Sequence, residues 1–284
     1  MSKKYLALIL IILFLFNKSF FSIDKKYQLT VLKKDLSSPW SLSFINKDEI
    51  IISEKTGKIK LFNLINANIT EVHHNLKFIE DINSQGGLLD ILYHNKKIYI
   101  SYSEKRGDFE LYGPSSTSIA KANFNKNKLY FNNIFRAEPP IRSPYHFGSR
   151  ILINDNYLYA SIGERGEGMI AQEVDKHPGS IIRIKLDGSI PKDNPKFTDQ
   201  PDWLPELYQI GVRNPQGMSI SPFDNKIYIS NHGARGGDWF GEVKKGQNYG
   251  WKILGWGGTE YSFKKIGPKW LPGYTKAIKY WVPS

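Results

Sequence analysis

Three short segments concentrate the residues able to do chemistry. They are His146-Phe147-Gly148-Ser149-Arg150, Gly211-Val212-Arg213-Asn214-Pro215-Gln216-Gly217 and His232-Gly233-Ala234-Arg235-Gly236-Gly237-Asp238. Each joins a titratable or cationic side chain to glycines, which permit tight turns and close backbone approach. Each also lies beside a strand-like apolar run. That arrangement suits loops gathered at one end of a β scaffold, where functional side chains commonly sit. There a base and two guanidiniums would converge on an anionic, oxidising group.

The scaffold that must position them is visible as a repeat. Ile50-Ile51-Ile52-Ser53, Ile98-Tyr99-Ile100-Ser101, Leu158-Tyr159-Ala160-Ser161 and Ile227-Tyr228-Ile229-Ser230 share one pattern, with the serines 48, 60 and 69 residues apart. Each is preceded by a second short apolar strand: Leu42-Ser43-Phe44, Leu89-Asp90-Ile91, Ile151-Leu152-Ile153 and Met218-Ser219-Ile220. Polar turns such as Asn154-Asp155-Asn156 separate the members of each pair, which is the sequence form of a β-hairpin. Further strands are expected at Gly57–Phe62 and Ser180–Leu186. Beyond the N-terminal apolar run no helical period is evident. Four-stranded propeller blades recur about every 40–50 residues, and longer spacings signal loop insertions. The pattern therefore predicts a β-propeller, with a β-sandwich as the alternative. A propeller closes its ring to protect strand edges, so Tyr280-Trp281-Val282-Pro283-Ser284 reads as the opening of a further blade.

Residues 1–22 read as a signal peptide. Lys3 and Lys4 precede an apolar run from Tyr5 to Phe16, and Ser19 and Ser22 offer small residues for cleavage. The run falls short of the roughly 20 residues that span a bilayer; an uncleaved anchor is the alternative. Residues 23–284 are then one β domain. The net charge of +12 includes three leader lysines, and the remaining ones are scattered. With no basic helix or aromatic RNA-binding signature, nucleic acid is not an expected partner. No cysteine is present, which excludes disulfides, thiolate zinc sites and c-type haem attachment. His73-His74 lacks zinc-helix spacing, and the glycines of Gly163-Glu164-Arg165-Gly166-Glu167-Gly168 are wrongly spaced for a dinucleotide fingerprint.

The chain resembles the soluble pyrroloquinoline-quinone (PQQ) dependent glucose/aldose sugar dehydrogenases, also called glucose/sorbosone dehydrogenases. The resemblance runs from about Leu36 to Ser284. It rests on Pro39-Trp40, Gln85-Gly86-Gly87-Leu88-Leu89-Asp90, His146–Arg150, Ile162-Gly163-Glu164-Arg165-Gly166 and Asp187-Gly188-Ser189-Ile190-Pro191. It continues through Arg213–Gly217, His232–Asp238 and Asn248-Tyr249-Gly250-Trp251. It implies an all-β, six-bladed propeller of four-stranded antiparallel blades, here missing the last blade or more. By the same resemblance His146 is the general base that removes the C1 hydroxyl proton of an aldose while hydride leaves the carbon. An imidazole titrating near neutrality suits that task. Arg213 stabilises negative charge developing on the quinone, and with Asn214 and Gln85 contacts PQQ. Calcium is implied on backbone carbonyls of Gly233 and Ala234. A second calcium in relatives uses a tyrosine matching Tyr249 and a glutamate where this chain has Trp239.

The implied partners are an aldose, an external electron acceptor (a cytochrome or a quinone) and a second subunit in a homodimer, in the periplasm or secreted. Two other readings stand beside this one. The first is a non-catalytic or degenerate propeller that binds a sugar or a partner. The second is a calcium-dependent lactonase, which would need a carboxylate-rich central metal site.

Overall fold

The computed structural model describes residues 28–79, 83–107, 113–197 and 202–284. The expected signal peptide, residues 1–22, lies outside them. Residues 35–284 form one compact unit, whereas residues 28–34 belong to a separate N-terminal unit and are exposed, without regular structure.

The sheets follow chain order. The first contains β1 (Pro39–Phe44), β2 (Glu49–Glu54), β3 (Ile59–Asn63) and β4 (Ile69–His74). The second contains β5 (Leu88–His94), β6 (Lys97–Lys105), β7 (Ser115–Asn123) and β9 (Asn132–Arg136). Between the last two of these strands, β8 (Lys128–Leu129) crosses to pair in parallel with β4. The third sheet contains β10 (Gly148–Asn154), β11 (Tyr157–Ile162), β12 (Ser180–Lys185) and β13 (Leu207–Ile210). The fourth contains β14 (Pro215–Ile220), β15 (Ile227–Asn231), β16 (Asp238–Glu242) and β17 (Lys279–Trp281). Four sheets are thus present among the described residues, each with four antiparallel strands and the first extended by the parallel β8, and the sole helical element among those residues is a 3-10 turn at Gly168–Gln172. All the strands expected from the repeat are there. The chain end differs from its expected role: β17 pairs with β16, Tyr280 opposite Trp239, and so forms the outer edge of the fourth sheet.

The core lies between successive sheets, which is why alternate residues of one strand belong to different clusters. Ile98, Ile100 and Tyr102 pack toward the first sheet with Ile51, Ile59 and Leu61, while Tyr99 packs toward the third with Ile151 and Leu158. Tyr159 in turn joins Met218, Ile229 and Trp239 of the fourth. A strand buried on both faces reads as a continuous apolar run, as Ile50-Ile51-Ile52 does.

The repeated serines explain themselves at this point. Ser53 Oγ donates to Leu89 O (2.5 Å), Ser101 Oγ to Ser149 O (2.5 Å) and Ser161 Oγ to Pro215 O (2.8 Å). Each links the second strand of one sheet to the leading strand of the next. Ser230, at the same place in the fourth sheet, is exposed.

The leading strands β1, β5, β10 and β14 lie side by side and meet at one ionic node. Asp90, 4% exposed, accepts from Arg150 Nη1 (2.7 Å), Ser41 Oγ (2.5 Å) and the Ile151 N–H (2.8 Å). Arg150 Nε donates to Gln216 O (2.9 Å), and its guanidinium stacks over Trp40 (4.8 Å). Burial pushes the Asp90 carboxyl above its ordinary range, against the pull of the Arg150 charge. Removing one partner of a buried pair leaves the other charge stranded. Asp90→Ala is therefore expected to cost about 3 kcal/mol in chemical denaturation, and Ser41→Ala about 1 kcal/mol.

Candidate functional site

In an antiparallel hairpin the start of the first strand and the end of the second lie at the same end. Gln85 precedes β5, His146 precedes β10, and Arg213 and Asn214 precede β14. Lys55 follows β2, Gly163–Gly166 follows β11, and His232–Ala234 follows β15. One end of the sheet array consequently carries them all. Trp40, Lys55, Gln85, His146, Arg213, Asn214, Gln216, His232, Gly233 and Ala234, with the carboxylate of Asp238, Tyr261 and Ser284, line one pocket of about 600 Å³.

His146 is half-buried and takes a left-handed backbone conformation, φ 51°. Its Nδ1 lies 2.5 Å from Glu164 Oε1. Glu164 is 2% exposed, and its other oxygen accepts the Gly168 N–H (2.6 Å). Burial alone would raise the Glu164 carboxyl; the His146 hydrogen bond and charge, the Gly168 N–H and the Arg213 charge outweigh it and hold the carboxyl below its ordinary range. An ionised carboxylate can only accept, so Nδ1 carries a proton, and Nε2 is the nitrogen left to exchange one. A Cβ at Gly163 would come within 1.9 Å of His146 O. Glycine at 163 is what lets the two loops touch.

A carboxyl held low contributes stability that is present above its unfolded value, near 4.5, and lost as pH falls through the folded value. The stability difference between wild type and Glu164→Gln should therefore be fully present at neutral pH and shrink below about pH 4.5. Urea titrations at several pH values measure it.

Two amides face the pocket with their oxygens already engaged. Gln85 Oε1 accepts the His146 N–H (2.8 Å), and Asn214 Oδ1 accepts the Gly148 N–H (2.9 Å). Backbone N–H donors fix the orientation of each amide, and the NH₂ groups are left as donors without a partner among the described residues. Arg213 is 5% exposed, and its guanidinium lies over Trp251 (5.5 Å). Its main chain is fixed too: Arg213 O accepts the Glu164 N–H (2.9 Å), and Asn231 Oδ1 accepts the N–H groups of both Arg213 and Asn214. Lys55 supplies a second cation. It lies against Gly87, where a Cβ would meet Lys55 O at 2.1 Å and Lys55 Cγ at 2.7 Å.

Gly233 and Ala234 form a tight turn whose Gly233 N–H donates to Asp238 Oδ1 (2.7 Å). A Cβ at Gly233 would meet Gly236 O at 2.3 Å. Tyr249 lies elsewhere, in the core of the fourth sheet: its ring stacks on Trp239 (4.1 Å) and its hydroxyl donates to Glu242 O (2.7 Å). Among the described residues no three His, Asp or Glu side chains cluster as metal ligands. Of the three arginines in the opening motifs, only Arg213 lines the pocket. Arg150 is spent on Asp90, and Arg235 stacks on Phe263 (3.8 Å).

Glu164, Lys55, Trp40 and Gln216 were not among the residues expected to form the site. Glu164 could have been found: the β10–β11 hairpin brings the residue just before its first strand against those just after its second.

These features define a propeller-type β protein with a histidine–carboxylate pair, two cations and two side-chain amides at one end of its sheet array. The chain belongs to the glucose/sorbosone dehydrogenase family, whose sequence pattern it matches over residues 36–284. It is 31% identical over 270 residues to an aldose sugar dehydrogenase of Escherichia coli (strain K12), covering 89% of this chain and 70% of that protein. It is 30% identical over 260 residues to quinoprotein glucose dehydrogenase B of Acinetobacter calcoaceticus, covering 81% of this chain and 52% of that one. The crystal structure of the soluble Escherichia coli aldose sugar dehydrogenase in its apo form superposes with a TM-score of 0.82 at 30% identity, over 89% of this chain and 74% of that chain. The chain thus spans between about half and three quarters of the length of these relatives.

Proposed function

We propose that this protein is a PQQ- and calcium-dependent aldose dehydrogenase that oxidises the C1 hydroxyl of a sugar to an aldonolactone. The observation that carries this reading is the set of donors that lines the pocket. Gln85 and Asn214, with their oxygens engaged by backbone N–H groups, stand there with the cations of Arg213 and Lys55. That set suits an anionic, oxygen-rich ligand, and the tricarboxylate quinone PQQ is one. The 30% identity to a quinoprotein glucose dehydrogenase supports the same ligand. Arg213, Asn214 and Gln85 would hold PQQ, and the carbonyls of the tight turn at Gly233 and Ala234 would hold calcium, which takes oxygen ligands readily. Tyr249 and the second calcium are not part of the proposal, since the phenol is committed to Trp239 and Glu242.

When bound, PQQ supplies the two-electron acceptor for the C1 hydride. His146 Nε2 takes the hydroxyl proton, and Glu164 steadies the imidazolium that forms. Arg213 stands where a fixed positive charge would stabilise developing negative charge in a water-poor site. An external cytochrome or quinone would receive the electrons. The expected leader would send the protein to the periplasm or outside the cell; among the described residues no helix is long and apolar enough to cross a membrane.

The test is reconstitution of the chain with calcium and PQQ, following reduction of an artificial electron dye over a panel of aldoses. Sugar-dependent reduction is the expected result. PQQ binding without turnover would favour a non-catalytic relative, and lactone hydrolysis without any acceptor would favour a lactonase.

A further inference from the structure

Arg165 is 2% exposed and has no carboxylate within salt-bridge distance among the described residues. Its guanidinium is spent instead on the loop that carries His146. One nitrogen donates to Tyr145 O, another to Ser143 O (2.5 Å) and Ser115 Oγ (2.9 Å). Its face lies on the ring of Phe147, 3.4 Å from the centroid, and its own N–H donates to His146 O (3.3 Å). The residues on both sides of His146 are therefore gripped by one side chain.

The grip has something to hold. His146 (φ 51°) and Arg165 (φ 62°) both sit in left-handed backbone conformations that side chains other than glycine rarely adopt. Such conformations persist only where the surroundings over-determine them. Burial lowers the Arg165 guanidinium to about 9, with the neighbouring Glu164 charge acting against that fall. A cation kept at this depth mainly to bind carbonyl oxygens is costly to the fold. That cost is consistent with a role other than stability.

We infer that Arg165 is a positioning residue: it clamps the 143–147 loop so that His146 Nδ1 stays on Glu164 and Nε2 points into the pocket. The inference rests on the reading of His146 as the base. A lysine at 165 retains the charge but cannot bridge Tyr145 O and Ser143 O while lying flat on Phe147.

The experiment compares wild type, Arg165→Lys, Arg165→Gly and His146→Ala by proton NMR and by turnover of the PQQ-loaded chain. The downfield Nδ1–H resonance of His146, assigned by its loss in His146→Ala, reports the His146–Glu164 hydrogen bond and needs no turnover. In Arg165→Lys that resonance should shift or broaden away, and kcat should fall about 10²-fold with KM little changed. Arg165→Gly suits the left-handed backbone and leaves a guanidinium-sized space, so added guanidinium should restore part of the lost kcat. An unchanged resonance in a folded Arg165→Lys chain, with kcat within about twofold of wild type, would overturn the clamp. Failure of both variants to fold would assign Arg165 to the fold alone and overturn it equally. An active His146→Ala chain would instead sink the base assignment and leave the clamp standing on its resonance.

Discussion

Replacing His146 with alanine is expected to lower kcat for aldose oxidation by about 10²–10⁴-fold, while PQQ still binds. The size follows from the role proposed for the imidazole. Hydride cannot leave C1 productively until the hydroxyl proton has a place to go, and Nε2 is the nitrogen proposed to receive it. The separation of effects follows from the division of roles: His146 is engaged by Glu164 and by Gln85 through its main chain, whereas the donors proposed to hold PQQ belong to Arg213, Asn214, Gln85 and Lys55. His146→Gln keeps a polar side chain of similar reach but offers no comparable base, so it should be nearly as inactive. Steady-state dye reduction gives kcat, and fluorescence titration with PQQ gives the affinity. A His146→Ala chain turning over within tenfold of wild type would remove the imidazole from the proton transfer.

Arg213→Met should be the second large effect, acting on two quantities at once. A guanidinium fixed over Trp251 and beside Glu164 is preorganised, and removing one such electrostatic group costs about 10²–10³ in kcat. Unlike His146, Arg213 is proposed also to hold the carboxylates of PQQ, so PQQ affinity should fall along with kcat. Arg213→Lys keeps the charge but loses the planar stack on the indole and the paired donors, and should recover only a part. Lys55→Met offers the comparison. Its side chain is half-exposed and more strongly screened, so a smaller loss, confined to affinity, is expected. Equal losses at both positions would mean that net charge, and not the placement of Arg213, governs the site.

Much of this architecture was legible in the chain because a two-residue alternation and a repeated serine leave period-bearing marks. Ser53, Ser101 and Ser161 recur because each donates to the leading strand of the next sheet. The strands that the sequence does not announce are the outer ones and the inner β7 and β16. β4 and β17 are half-exposed or exposed along much of their length, so no strict pattern is imposed on them, and Tyr280-Trp281 reads as a beginning when it is an edge. The site was legible where a glycine-flanked motif marks a hairpin end, as at His146 and Arg213. It was illegible where function depends on what folding brings opposite. Lys55 sits in an ordinary Glu-Lys-Thr-Gly turn, and its place beside the pocket is evident only once Gly87 is seen to make room for it. Arg150 shows the reverse: a motif arginine of the right type to meet a ligand is consumed by Asp90, a strand residue whose carboxyl points to the neighbouring sheets. Sequence spacing reports which side chains share a loop end, and only the packing reports which of them are already spent.

The most direct measurement is a single-turnover experiment on the full chain loaded with calcium and one equivalent of PQQ, mixed with excess aldose and no electron acceptor. Proton removal by His146 coupled to hydride transfer predicts a sugar-dependent loss of the oxidised-quinone absorbance, about 10²-fold slower or more in His146→Ala. Bound PQQ whose spectrum is untouched by any aldose, in wild type as in His146→Ala, would contradict it.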